Sequence, residues 1–182
     1  MHEQQTFRAT SLEIRDVFER WITSAWTAGV RFVVLEGLIG SGKSTLTKQP
    51  FVLGKRQSVN IELDQFLRAP VNSANEYMDA IDVDAATATM SEALRLSSLV
   101  TAEGPLAWPV VQRTIQVVPA HAVRRVYLKR MSPRNPDDWE DFEFLQKHER
   151  PTAYGRSIDR YHATERPWLL ADLVLERTGR DD

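Results

Sequence analysis

A chain of 182 residues with a formal charge of −2 and no cysteine is long enough for one domain with a real core, and it lacks the basic footprint of a nucleic-acid binder. Without thiols it forms neither disulfides nor thiolate metal sites, which points to a reducing compartment. No apolar run reaches the roughly 18 residues of a membrane span, and the opening MHEQQTFRAT lacks a signal-peptide core, so a cytoplasmic enzyme is the expectation.

Residues 1–10 read as frayed. Ser11 is placed as an N-cap with Glu13 in the first turn. Leu12, Ile14, Val17, Phe18, Trp21, Ile22, Ala25 and Trp26 then recur at helical spacing up to Gly29, predicting a helix over about 11–28. Its tryptophans share the apolar stripe and read as core against a sheet rather than as a binding surface.

Arg31 to Glu36 is an apolar strand. It runs through Gly37, Leu38, Ile39, Gly40, Ser41 and Gly42 into Lys43, Ser44 and Thr45. This is the G-x-x-x-x-G-K-[ST] phosphate loop in its confirming context, strand before and helix after. Gly37, Gly40 and Gly42 let the backbone turn a concave row of N–H groups toward an anion. The helix from Lys43 adds its positive dipole end. Lys43 sets a compact charge on the β/γ-phosphates, and the Ser44 hydroxyl is one ligand for Mg²⁺. Residues 37–45 are therefore the nucleotide-binding set.

Pro50 stops that helix early, and Gly54 to Gln57 reads as a turn. Ser58 to Leu63 is a second strand ended by Asp64, where a general base for a substrate hydroxyl belongs. Leu99 to Ala102 leads into Glu103-Gly104, a strand ending in a carboxylate suited to the same magnesium ion. Val110 to Val118 fits a helix or a β segment. Pro119 and the run from Ser132 to Pro136 are breaks. Between them lies a fourth strand, RVYLKR. From Asp137 or Asp138 an acidic helix is predicted, with Trp139, Phe142 and Leu145 packed on one side. His2, His121, His148 and His162 show no metal-ligand spacing and receive no catalytic role.

In order along the chain, GLIGSGKST, ELDQFLRAP, Asp79-Ala80-Ile81-Asp82 before the helix VDAATATMSEALRL, TAEGPLAW, Tyr154-Gly155-Arg156 and Ala171 to Leu175 resemble the uridine kinase branch of the phosphate-loop kinases, which also holds pantothenate kinase and phosphoribulokinase. The resemblance spans residues 30–176. It implies ATP and Mg²⁺ as cofactors and Asp64 as acceptor of the attacking hydroxyl's proton. It further implies Ser44, Glu103 and Asp64 around the metal, and Arg150 and Arg156 as lid arginines closing over the phosphates. Glu76 falls where the pyrimidine-nucleoside kinases contact ribose, and with Tyr77 it is the substrate-contact pair; the usual His-Pro that follows is here Tyr77-Met78. Lys129, Arg130 and Arg134 are further candidates for the lid. Leu96-Ser97-Ser98 leaves no room for the hairpin that reads the base in the nucleoside kinases. A smaller polyol, sugar, hydroxy acid or vitamin precursor is the expected acceptor.

The expected fold is one three-layer α/β/α P-loop domain over 1–182, with a five-stranded parallel sheet in the order 2-3-1-4-5 and a lid at about 130–157. The strands are placed near 31–36, 58–63, 98–103, 123–129 and 172–176. The expected function is an ATP-dependent kinase acting on a small hydroxyl acceptor, with no nucleic-acid or membrane partner and with homo-oligomerisation left open. The alternative is a regulatory or toxin-type P-loop protein. A GTP switch is disfavoured, because neither Asn-Lys-x-Asp nor Asp-x-x-Gly occurs in the chain.

Overall fold

The structure, a computed structural model, describes residues 4–68, 74–97, 99–132, 138–139 and 150–179. Strand β1 (Gln5–Thr10), helix α1 (Ile14–Thr27), strand β2 (Phe32–Glu36) and helix α2 (Lys43–Thr47) come first. A small hairpin of β3 (Val52–Leu53) and β4 (Arg56–Gln57) replaces the expected simple turn at 54–57. Then follow β5 (Val59–Glu62), α3 (Tyr77–Ala80), α4 (Val83–Leu96) and β6 (Val100–Glu103). The chain continues through α5 (Ala107–Ile115), β7 (Val123–Arg130), α6 (Ala153–Glu165) and β8 (Leu173–Thr178).

One sheet in the order β1-β8-β7-β2-β6-β5, parallel at every pairing, makes the architecture α/β. The middle strand β2 is buried at all of its residues, as a strand covered on both faces must be. Its alternation divides the interior into two cores. Phe32 and Val34 join Met90 of α4, Val110 of α5 and Ile158 of α6 on one face. Val33 and Leu35 join Phe18 and Ile22 of α1 and Leu46 of α2 on the other.

The five expected strands stand in the expected order, but the sheet has six. Residues 5–10 are not frayed: they pair with β8 in register from Gln5 opposite Leu173 to Thr10 opposite Thr178. This strand is exposed along most of its length, so the backbone ladder holds it rather than apolar burial. A ladder without an apolar alternation leaves no periodic signal to read.

Ser11 is not a helix cap. Its hydroxyl donates to the Thr178 and Gly179 carbonyls, α1 starts after Glu13 with no side-chain cap bond, and Leu12, 91 % exposed, falls outside the apolar stripe. Trp21 and Trp26 pack partly buried against the second core. The ambiguous stretch Val110 to Val118 is helical as far as Ile115, where α5 ends, because Val110, Val111 and Thr114 bury one helical face. Trp139 packs edge-on to Tyr127 at 5.8 Å and to Trp168 at 4.7 Å. Neither Asp138 nor Trp139 is helical, contrary to the expected acidic helix: Trp139 forms an isolated antiparallel bridge with Met131. The other residues expected in that helix, and Arg134, lie outside the described residues.

Candidate active site

The phosphate loop leaves the centre of the sheet where β2 ends. Gly40 and Gly42 adopt φ of 84° and 98°, the left-handed region that glycine enters without a steric penalty. At Gly37 the constraint is space: a Cβ there would stand 2.5 Å from the Leu128 carbonyl oxygen and 2.7 Å from Ser41 Oγ. Lys43 is buried, and its Nζ donates to the carbonyls of Gly37 at 2.9 Å and Leu38 at 3.0 Å. The ammonium therefore lies inside the curl of the loop. Pro50 stands just beyond α2, as expected from its broken hydrogen-bond pattern.

Ser44, at the first turn of α2, donates its hydroxyl to Glu103 Oε1 at 2.7 Å. Glu103 ends β6 on the sheet face that α2 covers and is 4 % exposed. Burial pushes its carboxyl above the usual carboxylate range, against the opposing pull of the Ser44 hydrogen bond and the Lys43 charge. The neighbouring strand β5 pairs Glu62 with Glu103. Asp64 follows in the short 3₁₀ turn Leu63–Phe66. It is exposed, accepts a hydrogen bond from the Tyr77 hydroxyl at 3.0 Å, and its charge adds to the upward push on Glu103. Of the two carboxylates from adjoining strand ends, Glu103 touches the serine of the loop, and Asp64 lies near enough to Glu103 for its charge to be felt there.

The other expected residues are placed differently. Arg150 Nε donates to both oxygens of Asp159 at 3.0 and 3.1 Å. Arg156 Nη1 donates to the carbonyls of Arg150 and Pro151. Neither bond is to the phosphate loop. Glu76 holds Arg160 Nη2 with both carboxylate oxygens at 2.8 Å. The pair edges a cleft of about 280 Å³ that Met78, Leu106, Ser157 and Tyr161 also line. Tyr77 is fully buried and reaches Asp64.

Three residues at the loop escaped the sequence reading or were placed otherwise in it. Arg130, considered for the lid, donates from Nη1 to the Gly40 carbonyl at 3.2 Å. Arg177 of β8 lies buried against Gly42, whose hypothetical Cβ would be 3.0 Å from its guanidinium carbon. Its signal was available: after Leu173 and Leu175, position 177 continues the buried side of the strand. Glu36 is the third, 1 % exposed. It accepts from the Trp108 amide at 3.1 Å, Arg125 Nη2 at 3.0 Å and the Tyr161 hydroxyl at 2.8 Å. It pins α5 and α6 to the strand that feeds the loop. The Arg125 guanidinium also stacks over the Trp108 ring at 4.2 Å.

Among the described residues no three acids or histidines cluster as a ready-made cation cage. The oxygen donors of Ser44 and Glu103, with Asp64 nearby, suit Mg²⁺. That ion takes one or two protein oxygens and completes its shell with water and phosphate.

A glycine-rich loop joining the central strand of a parallel sheet to a helix, with an acid of the next strand bonded to the loop's serine, defines the P-loop NTPase fold. No protein-family model and no curated protein sequence matches the chain. Among solved structures it is similar to that of a possible uridine kinase from Bacillus stearothermophilus, at 20 % identity and a TM-score of 0.55, over 90 % of this chain and 97 % of that one. The signal recognition particle receptor FtsY from Elizabethkingia anophelis aligns at 14 % identity and a TM-score of 0.45, over 94 % of this chain and 68 % of that one. The first likeness shows the fold. No helix among the described residues is long and apolar enough to cross a membrane.

Proposed function

We propose that the protein is an ATP-dependent kinase that transfers the γ-phosphoryl group to a hydroxyl of a small polar acceptor. The observation that carries the reading is a pair of acids at neighbouring strand ends with separate surroundings. Glu103 is buried and bonded to Ser44, while Asp64 is exposed and open to an incoming hydroxyl. A protein that only binds nucleotide has no need of the second. The similarity to a possible uridine kinase agrees in fold.

Ser44 and Glu103, with Asp64 in reach, would hold Mg²⁺, which when bound neutralises charge on the β- and γ-phosphates. The residues of the chain do the rest. Loop amides and Lys43 bind the triphosphate. Asp64 accepts the proton of the acceptor hydroxyl as its oxygen bonds to the γ-phosphorus, and the bond from that phosphorus to the β–γ bridging oxygen breaks to leave ADP. Glu76, reaching over the cleft it shares with Arg160, contacts the acceptor. Arg150 and Arg156 act once they leave their present partners and close on the phosphates.

The test is transfer from γ-labelled ATP to a panel of sugars, polyols, nucleosides and vitamin precursors. Asp64→Asn is expected to lower transfer by about 100-fold or more while ATP affinity stays within about threefold of wild type. Normal transfer by Asp64→Asn would remove that residue as the base. ATP consumption indifferent to every alcohol would favour a regulatory or toxin-type nucleotide-binding protein.

A further inference from the structure

Tyr77 stands beside Glu76 in the sequence, but the two side chains do different things. Glu76 is exposed to solvent. The Tyr77 ring is fully buried, packed on Tyr154 with centroids 5.2 Å apart, and its hydroxyl donates to Asp64 Oδ1 at 3.0 Å. A phenol keeps its proton at neutral pH, so the buried hydroxyl acts as a donor to the carboxylate. Gly104, the residue after Glu103, leaves room for it: a Cβ there would stand 3.4 Å from the Tyr77 hydroxyl and 3.3 Å from Leu63 Cβ. The phenol therefore passes directly beside the end of β6 on its way to Asp64.

Tyr77 is itself moored. Its backbone N–H donates to Ser157 Oγ at 3.0 Å, and that hydroxyl donates to the Tyr154 carbonyl at 2.8 Å. A chain of contacts thus runs from α6, the helix that carries Arg156, through Tyr77 to the carboxylate of Asp64. An aspartate on an exposed turn would otherwise be free to rotate. A buried donor on one oxygen fixes the carboxylate plane and leaves the other oxygen for a substrate proton.

We propose that Tyr77 is the positioning residue for Asp64 and that Ser157 ties this arrangement to α6. The inference rests on the reading of Asp64 as the base. Tyr77 exchanges no proton in the reaction; it holds the group that does.

The test uses the whole chain and MgATP, with water standing in for the acceptor hydroxyl, on Tyr77→Phe, Asp64→Asn and the double variant. Tyr77→Phe is expected to lower kcat about tenfold, the weight of one hydrogen bond to a charged group, with KM for ATP within about twofold of wild type. In the Asp64→Asn background the same change should cost nothing more, because a residue that acts through another cannot be lost twice. A merely structural phenol would carry its loss into both backgrounds.

A second measurement needs no turnover and no metal. The Tyr77 hydroxyl proton should give a slowly exchanging resonance in the wild-type chain that shifts or vanishes in Asp64→Ala. If Asp64→Asn hydrolyses ATP at the wild-type rate, the base and this inference fall together. If Asp64→Asn is crippled while Tyr77→Phe is normal, or loses equally in both backgrounds, the role of Tyr77 alone is overturned. A hydroxyl resonance indifferent to Asp64→Ala overturns it as well, and decides the matter should Tyr77→Phe fail to fold.

Discussion

At the residue scale, the site is decided by space and by burial. Gly37 has no room for a methyl group, because the Leu128 carbonyl oxygen lies 2.5 Å from where a Cβ would be. Gly37→Ala is expected to cost roughly 1–3 kcal/mol of stability through overpacking and to distort the curl that Lys43 fills. Urea titration and nucleotide binding on the same sample would check both effects. His162 is a second case. It is fully buried between the Tyr127 hydroxyl at Nδ1 and the Pro105 carbonyl at Nε2, each 2.9 Å away. Burial, helped by the Lys43 charge, pushes it from 6.5 down to about 3. The unfolded chain therefore takes up a proton that the folded chain refuses. The sign follows: above pH 6.5 the histidine is neutral in both states, and as pH falls from 6.5 toward 3 stability is lost. The slope due to this group is about 1.4 kcal/mol per pH unit. Denaturation midpoints at pH 4, 5 and 6 should fall less steeply in His162→Gln than in wild type.

At the element scale, β1 is held to β8 by pairing along Gln5–Thr10 and by Gln4, whose amide donates to the Trp168 and Ala171 carbonyls. Removing residues 1–10 should cost about 3 kcal/mol, on the order of 1 kcal/mol for each ladder bond that contributes. It should also bare the β8 edge to self-association. Chemical denaturation and size-exclusion chromatography at several concentrations would show the two effects. This strand marks the limit of what the sequence reveals. Strands β2 and β6 were legible because burial on both faces demands continuous apolar runs, and α1 was legible from its 3.6-residue stripe. An edge strand reading Gln-Thr-Phe-Arg-Ala-Thr, with its one large apolar residue Phe7 exposed, has no such period. The start of α1 was misplaced for a related reason: a serine before a helix resembles a cap, yet Ser11 spends its hydroxyl on β8.

At the scale of the whole molecule, the parallel order brings Lys43, Ser44, Asp64 and Glu103 from separate stretches to one end of the sheet. MgATP should raise the melting temperature with the logarithm of its concentration over its dissociation constant. Lys43→Ala should abolish the shift, and chelating the metal should reduce it, both measurable by thermal fluorescence. The loop and its two acids were readable because local spacing and strand ends encode them. The partners of Arg160 and Arg177 were not, since each depends on which distant element packs alongside. Asp159, which holds Arg150, lies 9 residues away in sequence, but Glu76, which holds Arg160, lies 84 residues away. No local pattern reports such a meeting.

The position of the Lys43 ammonium has a further consequence. By gripping the carbonyls of Gly37 and Leu38, it braces the very curve whose amides must face an anion, so the same cation is keystone before it is clasp. Supplying a free alkylamine to Lys43→Ala would return the charge and not the arch. Chemical rescue, which works where a side chain contributes only its ionised tip, is expected to fail at this position.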